Sequence, residues 1–349
     1  MSTENLAAVL EKVGTALKPL ILSIPSPGEN EILIRNHAIA ANPADWKLRD
    51  FPSHLNKFPT VLGSDVCGIV SAIGSKVSKF KVGDRIAGFA LVIANDNPEH
   101  GAWQTYTLLQ ENATIRIPDF VSYEDGATFP MAFATVAVAY FERLGIDRPL
   151  SSSQEVQQQR QSGILVWGAS SSTGTAAVQL AKELGFKVFA TASPKNHEYV
   201  KSLGASEVVD YRDPDAVSKL AQLAKEAGTP LRYGFDSISE RNSSLLTADA
   251  LLASGGEGSK LALTSPWPAG DEKPAGVEIS MTIAALAFVH HVEMGSWMFN
   301  EYLSQAIEQK KIVPAPKVRV VDGGIAAAQE ALEIVKAGVS ATKIVVRVD

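Results

Sequence analysis

The sequence predicts an α/β protein of two domains, a small twisted β domain and a doubly wound parallel sheet. In residues 31–117, short strand-like runs alternate with turn residues, and helical patterns are sparse. From Gly163 onward, short apolar runs alternate with helical patterns, which is typical of a parallel sheet covered on both faces. Right-handed crossovers then wind that sheet in both directions. The length of 349 residues agrees, since one domain usually holds roughly 100–200 residues.

The individual elements follow from the same patterns. In the β domain the clearest predicted strands are 31–37, 68–73 and 84–89. In the second domain they are 164–167, 187–190, 207–209, 233–236 and 261–264. A helical pattern at 176–184 follows the first of these strands. Near the end, a helix at 325–336 precedes a strand at 343–348, which we expect to return to the first domain.

Composition and charge exclude several classes of protein. The chain holds 32 basic and 38 acidic residues, and this net charge of −6 argues against nucleic acid or an anionic membrane as a partner. The single cysteine, Cys67, excludes a disulfide framework and a zinc site built from several thiolates. No run is long and apolar enough to span a bilayer, and residues 1–10 show no signal-peptide pattern. We therefore expect a cytoplasmic protein.

Two irregular stretches interrupt the second domain. The first, 151–161, is rich in serine and glutamine and is predicted to be an exposed loop. The second, 266–276, is rich in proline and glycine and follows a predicted strand. Because ligands bind at the carboxyl ends of such strands, we expect this second stretch to act as a lid.

A glycine- and serine-rich turn joins the first strand of the sheet to its helix. Helix N-termini attract phosphate through free N–H groups and the helix dipole, and small residues let the backbone approach a pyrophosphate. The candidate cofactor-binding residues of this turn are Gly168, Ser170, Ser171, Ser172, Thr173 and Gly174. The strict G-x-G-x-x-G pattern is not met, since Ser171 replaces the middle glycine. A serine-capped helix without a ligand is the alternative.

The end of the second strand distinguishes between the two nicotinamide cofactors. NAD sites carry an acidic residue there, about 20 residues past the turn, for the ribose hydroxyls. This chain has no acid at 189–196 and offers Ser193 and Lys195 instead. A hydroxyl and a cation suit a 2′-phosphate, so the sequence favours NADPH. An exposed lysine without a ligand is the alternative for Lys195.

A set of motifs in fixed order resembles the medium-chain dehydrogenase/reductase superfamily. The motifs are ANPADWK (41–47), GSDVCG (63–68), VGDR (82–85), GAWQTY (101–106), ATFP (127–130), the serine turn, SLGA (202–205) and GVSATK (338–343). They are similar to the zinc-independent branch of quinone reductases and enoyl reductases. The run ASPKN (192–196) is similar to that of fungal members, which include trans-acting enoyl reductases of polyketide pathways.

The resemblance implies a domain layout. Residues 1–128 and 296–349 would form a GroES-like catalytic domain, and residues 129–295 a Rossmann domain that binds NADPH. Relatives in this family occur as dimers and as monomers, so a homodimer is one of two open possibilities. A polyketide synthase partner is not readable from the sequence.

The departures from the zinc-dependent members predict an enzyme without a metal. Those members place a cysteine three residues before the aspartate of the first motif and a histidine after the glycine of the second. This chain has Asn42 and Ser64 at these positions. Catalytic zinc needs three suitable N, S or O ligands, and the adjacent pair His290 and His291 does not replace them.

Without zinc, hydrogen-bond donors have to stabilise the negative charge that hydride transfer builds on oxygen. Addition to a C=C bond conjugated with a carbonyl is easier to support in this way, because the charge delocalises into an enolate. We expect Lys47 to polarise the substrate oxygen or relay a proton, and Asn42 to orient substrate or nicotinamide. A solvated lysine and a buried turn asparagine are the respective alternatives.

The resemblance implies further site residues. Thr135 would lie by the nicotinamide ribose, with a helix N-cap as the alternative, and Tyr211 would flank the adenine, with plain packing as the alternative. Thr264 and Ser265, at the end of a strand, would meet the nicotinamide side. Asp45 would pair with the basic residue of the terminal strand, here Lys343, in an ion pair that is structural or close to the cofactor.

The sequence therefore predicts an NADPH-dependent, zinc-independent reductase of activated C=C bonds in enoyl, enone or quinone substrates. An NADPH-dependent aldehyde reductase that uses the same donors is one alternative. A non-catalytic NADPH-binding protein, like the crystallin-like relatives of this family, is the other. In each reading the partner is a small molecule, with no nucleic acid and no membrane.

Overall fold

The computed structural model describes residues 4–51, 55–149, 162–240, 242–256 and 258–348. The predicted loop at 151–161 lies outside the described residues. By their contacts, the described residues divide into two compact units, Met1–Ala134 with Ala285–Asp349, and Thr135–Ala284. These limits differ from the predicted domain limits by 6 residues at the first boundary and by 11 residues at the second, and the predicted limits stay a prediction.

The strands and helices are numbered in chain order. The strands are β1 (Asn5–Leu10), β2 (Lys18–Leu22), β3 (Glu31–Ala40), β4 (Thr60–Val61), β5 (Asp65–Ile73), β6 (Arg85–Phe89), β7 (Tyr106–Gln110), β8 (Thr114–Arg116), β9 (Gly163–Trp167), β10 (Lys187–Thr191), β11 (Glu207–Val209), β12 (Leu231–Asp236), β13 (Ser259–Leu263), β14 (Val277–Met281), β15 (Lys317–Val321) and β16 (Thr342–Arg347). The helices are α1 (Pro43–Asp50), α2 (Val92–Asn95), α3 (Tyr123–Gly126), α4 (Pro130–Ala137), α5 (Ser172–Glu183), α6 (His197–Leu203), α7 (Ala216–Glu226), α8 (Ser243–Ala253), α9 (Leu286–Val289), α10 (Val292–Ser296), α11 (Ser304–Glu308) and α12 (Ala328–Ala337). Wider π-helical turns follow α4 at Val138–Arg143 and α10 at Trp297–Leu303.

The first unit is a twisted, mainly antiparallel β structure. Its larger sheet has the order β15-β16-β3-β5-β6-β8, with β7 also paired to β3, and a smaller sheet has the order β2-β1-β4. The predicted strands correspond to β3, β5 and β6. The terminal strand β16 pairs antiparallel with β3, as the sequence indicates. Buried side chains of these strands, among them Ile34, Ile39 and Ile344, form a core that includes Trp103.

The second unit is a parallel sheet with helices between its strands. The strand order is β11-β10-β9-β12-β13-β14, and each pair of neighbouring strands in it is parallel. The order runs outward from β9 in both directions, so the predicted doubly wound fold is confirmed. The sequence analysis missed β14, which follows the irregular stretch 266–276. Its side chains are only half-buried or exposed, so it lacks the apolar run of a central strand.

Two expectations about helices can be compared with the structure. The predicted helix at 176–184 begins earlier, at Ser172, because Ser171 caps it. Among the described residues, no helix is both long and apolar enough to cross a membrane.

Candidate active site

The serine-rich turn of the second unit is shaped by two glycines. Gly168 follows β9 with a φ of +74°, and a Cβ there would lie 2.3 Å from Cγ1 of Ile238. A Cβ on Gly174 would lie 2.4 Å from the carbonyl oxygen of Gly168. Contacts this short exclude any side chain, so both positions require glycine. The turn therefore brings backbone against backbone at the start of α5.

The hydroxyl of Ser171 forms hydrogen bonds within the protein. Its hydroxyl accepts the backbone N–H of Gly174 at 3.0 Å and donates to Oγ of Ser237 at 3.0 Å. Ser237 in turn donates to the carbonyl oxygens of Trp167 and Gly168 at 2.7 and 3.0 Å. Ser171 therefore caps helix α5, and its predicted contact with a cofactor stays a prediction. The cap also fixes the loop after β12 to the turn.

Ser172 differs from Ser171. Its Oγ is closed to solvent and has no hydrogen-bond partner among the described residues. A buried hydroxyl without a partner is costly unless a ligand or water satisfies it. It lies in the first turn of a 12-residue helix, where N–H groups attract phosphate. Together with Ser170 and Thr173, both half-buried, this group fits the pyrophosphate of a dinucleotide.

The neighbouring strand ends carry the predicted 2′-phosphate and adenine residues. Lys195 is exposed, and the hydroxyl of half-buried Ser193 accepts the Asn196 amide at 3.2 Å. Tyr211 is 45% exposed, so it is not packed in the core. Because β10 and β11 pair in parallel, these residues follow carboxyl ends on the same edge of the sheet. The sequence analysis did not select Arg212. Its guanidinium carbon lies 5.6 Å from the centroid of the Tyr211 ring, and the guanidinium donates two hydrogen bonds to the carboxylate of Asp210.

A buried aspartate organises the ends of β12 and β13. Asp236 accepts the N–H groups of Ile238 and Ser239 on Oδ1, each at 3.0 Å. Its Oδ2 accepts the hydroxyls of Ser243 and Ser244 at 2.7 and 3.0 Å. Burial raises the pKa of this carboxyl, and the four hydrogen bonds oppose the shift. The sequence analysis missed Asp236, although an aspartate at a strand end before several serines is a visible signal.

The predicted residues Thr264 and Ser265 follow β13 at this edge. The backbone N–H of Thr264 donates to Oγ of Ser239 at 2.8 Å, and its hydroxyl lies 3.2 Å from the same oxygen. Both residues are half-buried. The structure therefore brings the predicted cofactor residues of the second unit to the carboxyl edge of one sheet. Their contacts with a cofactor stay predictions.

In the first unit, Asn42 lies immediately before helix α1. Its backbone N–H donates to Oδ2 of Asp45 at 3.0 Å, and Pro43 begins the helix. Lys47 is half-buried on the same helix, with its ammonium 5.7 Å from the Trp46 ring centroid. The two predicted donors thus share one short helix, and their catalytic roles stay predictions.

Asn42, Asp65 and Lys343 form a buried cluster. The ammonium of Lys343 donates to Oδ2 of Asp65 at 2.9 Å and to Oδ1 of Asn42 at 2.6 Å. Nδ2 of Asn42 donates to the same Asp65 oxygen at 2.8 Å. Asp65 is 0% exposed and Lys343 3% exposed. The predicted contact of Lys343 with the cofactor stays a prediction.

The expected pair of Asp45 with Lys343 is wrong, because Lys343 pairs with Asp65. The sheet explains this choice: Ala40 of β3 is opposite both Asp65 and Val345, so the strands of Asp65 and Lys343 flank the same residue. Asp45 instead caps its own helix and accepts Nε1–H of Trp103 at 3.4 Å. Burial raises its pKa to about 7, and the charge of Asp65 adds to this shift.

Thr135 is buried inside helix α4, which begins at Pro130. The alternative reading of Thr135 as an N-cap is therefore wrong. The backbone N–H of Met131, in the first turn of this helix, donates to Oδ1 of Asp65 at 2.6 Å. The sequence analysis quoted Asp65 only as part of a motif. The sequence could have indicated it, since an acidic residue at the start of an apolar strand is expected to be buried and to need a partner.

The chain matches two family models and a large set of curated proteins. Residues 28–119 match the alcohol dehydrogenase GroES-like domain, and residues 172–310 match the zinc-binding dehydrogenase domain. It is 37% identical to the trans-enoyl reductase tndF of Aspergillus flavipes, over 99% of both chains. It is 33% identical to the dehydrogenase orsE of Emericella nidulans, over 98% of this chain and 99% of that one.

Solved structures share the fold at lower identity. A putative zinc-dependent alcohol dehydrogenase from Rhizobium etli superposes with a TM-score of 0.81 at 24% identity, over 99% of both chains. A quinone oxidoreductase from Pseudomonas syringae gives 0.74 at 22%, over 97% of this chain and 99% of that one. A mycobacterial protein solved with NADPH gives 0.74 at 24%, over 98% and 99%.

The fold is one that binds pyridine nucleotides, and the protein is an oxidoreductase. The chain belongs to the medium-chain dehydrogenase/reductase family, in the branch of its trans-enoyl reductases.

Proposed function

We propose that this protein is an NADPH-dependent reductase of activated C=C bonds, in enoyl, enone or quinone substrates, that transfers hydride without zinc. The observation that carries the proposal is the buried cluster in which Asp65 and Lys343 hold the amide of Asn42, one of the two proposed donors. The trans-enoyl reductase tndF supports the substrate class, since it is similar over 99% of its length. Catalytic donors are assigned to the first unit and cofactor binding to the second.

The donor set of the first unit does not fit zinc. The amide of Asn42 and the hydroxyl of Ser64 occupy the positions where zinc-dependent members carry cysteine and histidine. A protonated lysine lies 2.6 Å from the Asn42 oxygen, and its charge would repel a divalent cation at that oxygen. Among the residues that the structure describes, no cluster of three or more His, Cys, Asp or Glu side chains is arranged to hold a metal.

The second unit supports NADPH as the cofactor. The hydroxyl of Ser172 and the N-terminus of α5 are suited to the pyrophosphate, as argued above. Ser193 and Lys195 offer a hydroxyl and a cation to the 2′-phosphate, and the exposed ring of Tyr211 offers a face to the adenine. The mycobacterial structural neighbour solved with NADPH agrees with this choice.

The chain's own residues then have separate tasks. When bound, NADPH would supply a hydride for the β-carbon of the unsaturated substrate. The ammonium of Lys47 and the amide of Asn42 would donate hydrogen bonds to the carbonyl oxygen, where the negative charge develops. Proton delivery to the α-carbon is assigned to Lys47, either directly or through water. These donors are most effective for a charge that is delocalised over an enolate.

An acceptor panel tests the reaction. NADPH oxidation is measured with 2-cyclohexenone, benzoquinone, a crotonyl thioester and butanal as acceptors. We expect at least one of the first three to have a kcat/KM above that of butanal. A faster reaction with butanal identifies an aldehyde reductase, and NADPH binding without oxidation by any acceptor identifies a non-catalytic protein. Either outcome contradicts the proposal.

A cofactor variant tests the phosphate contact. Lys195→Ala should raise KM for NADPH by about 10- to 100-fold and leave KM for NADH nearly unchanged, since one charge-assisted hydrogen bond is lost. Lys225→Ala is the matched control, because Lys225 is exposed in the last turn of α7. Equal effects of Lys195→Ala on both cofactors would refute the phosphate contact.

The absence of zinc from the reaction is tested by metal analysis. The purified enzyme should contain far less than one zinc ion per chain and keep its activity after dialysis against a chelator. Stoichiometric zinc, with activity lost on chelation and restored by zinc, would overturn this part of the proposal.

A further inference from the structure

The Asn42 side chain lies between partners of opposite charge. Its Nδ2 donates to Asp65 and its Oδ1 accepts from Lys343, at 2.8 and 2.6 Å. A flip of the amide would turn its oxygen towards the carboxylate and its NH₂ group towards the ammonium. Both new contacts would repel, and at 0–3% exposure little water screens them. The ion pair therefore selects one orientation of the amide.

One hydrogen of this amide remains weakly engaged. Nδ2 carries two hydrogens, and one of them is donated to Oδ2 of Asp65, 2.8 Å from Nδ2. The other faces the carbonyl oxygen of Ala40 at 3.4 Å, which is at the long limit of a hydrogen bond. The second hydrogen is thus poorly satisfied, and a substrate oxygen on the Ala40 side of the amide could accept it while the amide keeps its orientation.

The carboxylate that holds the amide is itself anchored. While Oδ2 of Asp65 binds Asn42 and Lys343, Oδ1 accepts the Met131 N–H at 2.6 Å. Met131 lies in the first turn of α4, where a negative charge is favoured by the helix dipole. Rotation of the carboxylate would break contacts at both oxygens. Asp65 therefore has a fixed direction.

We propose that Asp65 and Lys343 are positioning residues that lock the Asn42 amide, so that its second Nδ2 hydrogen is directed at the substrate oxygen. This inference rests on the reductase function proposed above. A donor fixed before the reaction needs no reorganisation when negative charge develops on that oxygen, and this is the origin of its effect on rate. The Lys343 ammonium acts through Asn42 and Asp65.

The test compares Asp65→Asn in two backgrounds, wild type and Asn42→Ala. The assay is NADPH oxidation with whichever acceptor of the panel gives the highest kcat. We expect Asn42→Ala to lower kcat by about 100-fold. Asp65→Asn should lower kcat by a similar factor in the wild type, since a misdirected donor loses most of its effect, but by less than ~3-fold in Asn42→Ala. The Kd for NADPH should change by less than ~3-fold throughout.

The two-background design separates positioning from a structural role. A purely structural Asp65 would lower kcat by the same factor in both backgrounds, and that result overturns the lock. A fully active Asn42→Ala variant also overturns it. An inactive wild type overturns the proposed function and the lock together, whereas additive losses in an active wild type overturn the lock alone.

Lys343 supplies a second route to the same answer. Lys343→Met is measured in the same two backgrounds with the same expectation, at a temperature at which circular dichroism shows each variant to be folded. Lys343→Arg, which keeps the positive charge, should retain kcat to within about 10-fold. A Lys343→Arg variant as slow as Lys343→Met, but folded, would show that the charge does not hold the amide.

Discussion

Two buried aspartates, one in each unit, are stabilised in different ways. Asp65 binds the ammonium of Lys343, which lies far away in the sequence, together with one amide and one backbone N–H. The four hydrogen bonds recorded to the Asp236 carboxylate within the described residues come from neutral groups, all within eight residues of it. The first aspartate depends on the tertiary fold, whereas the second is satisfied by its own loop.

The difference has an energetic consequence. A carboxylate paired with a buried ammonium forms a unit in which each charge compensates the other, so loss of one partner leaves an uncompensated charge in a low dielectric. A carboxylate held by hydroxyls and N–H groups keeps most of its contacts when its charge is removed, because hydroxyl donors can reorient to accept. The first unit should therefore be far more sensitive to neutralising substitutions at its buried acid and base.

Lys343→Met is expected to produce the largest loss of stability. It removes the cation from Asp65 and should lower the free energy of unfolding by about 3–5 kcal/mol. Denaturant unfolding followed by tryptophan fluorescence measures the loss. The matched control is Lys317→Met, since Lys317 is exposed on the adjacent strand β15, and its effect should stay within ~0.5 kcal/mol. Equal losses for the two variants would show that the buried pair does not stabilise the first unit.

Much of the fold could be predicted from the sequence because its signals are local. A few consecutive residues are enough to predict the apolar strands β9, β10 and β12 and the turn before α5. The partner of Lys343 could not be predicted in this way, because it depends on which strands flank β3. The sequence analysis therefore chose Asp45 instead of Asp65. Strand β14 escaped because an exposed edge strand lacks the apolar pattern. Sequence patterns thus identify local geometry better than long-range electrostatic partners.

The serine turn offers the next largest effect. Gly174→Ala places a Cβ 2.4 Å from the Gly168 carbonyl oxygen, so backbone has to shift, at a cost of roughly 2 kcal/mol in unfolding free energy. We also expect weaker NADPH binding, because the N-terminus of α5 moves with the turn. Thr173→Ala, one residue earlier, is the control for stability and should change it by less than ~0.5 kcal/mol. Unchanged stability and unchanged NADPH affinity of Gly174→Ala would contradict the close packing.

Asp236→Asn tests the difference between the two buried aspartates, Asp65 and Asp236. The isosteric amide keeps an oxygen for the N–H groups of Ile238 and Ser239 and turns its NH₂ towards the two serine hydroxyls, which can accept. The expected loss is about 1–2 kcal/mol. Asp65→Asn, measured under the same conditions, should cost more, because Lys343 is left uncompensated. A larger loss for Asp236→Asn than for Asp65→Asn would reverse the interpretation of the two sites.

The smallest expected effect concerns Asp45, which lies beside the Asp65 cluster. Burial raises its pKa from the usual 3.8 to about 7, so the folded state binds a proton that the unfolded state releases between these values. Stability should therefore fall as pH rises through this window and level off above it. Asp45→Asn removes the ionisation, so the stability difference between this variant and the wild type should grow in favour of the variant by about 1 kcal/mol between pH 6 and pH 7.

Asp249→Asn is the control for this pH series, since Asp249 is exposed on α8 and its removal should leave the pH dependence unchanged. Urea unfolding at pH 6, 7 and 8 measures all three proteins. The slope is decisive, because a carboxylate paired with Lys343 would have a pKa below 3.8, would already be ionised at pH 6, and would give a stability difference that does not change between pH 6 and pH 8. A stability difference that stays constant between pH 6 and pH 7 would therefore contradict the raised pKa of Asp45 and favour its pairing with a cation.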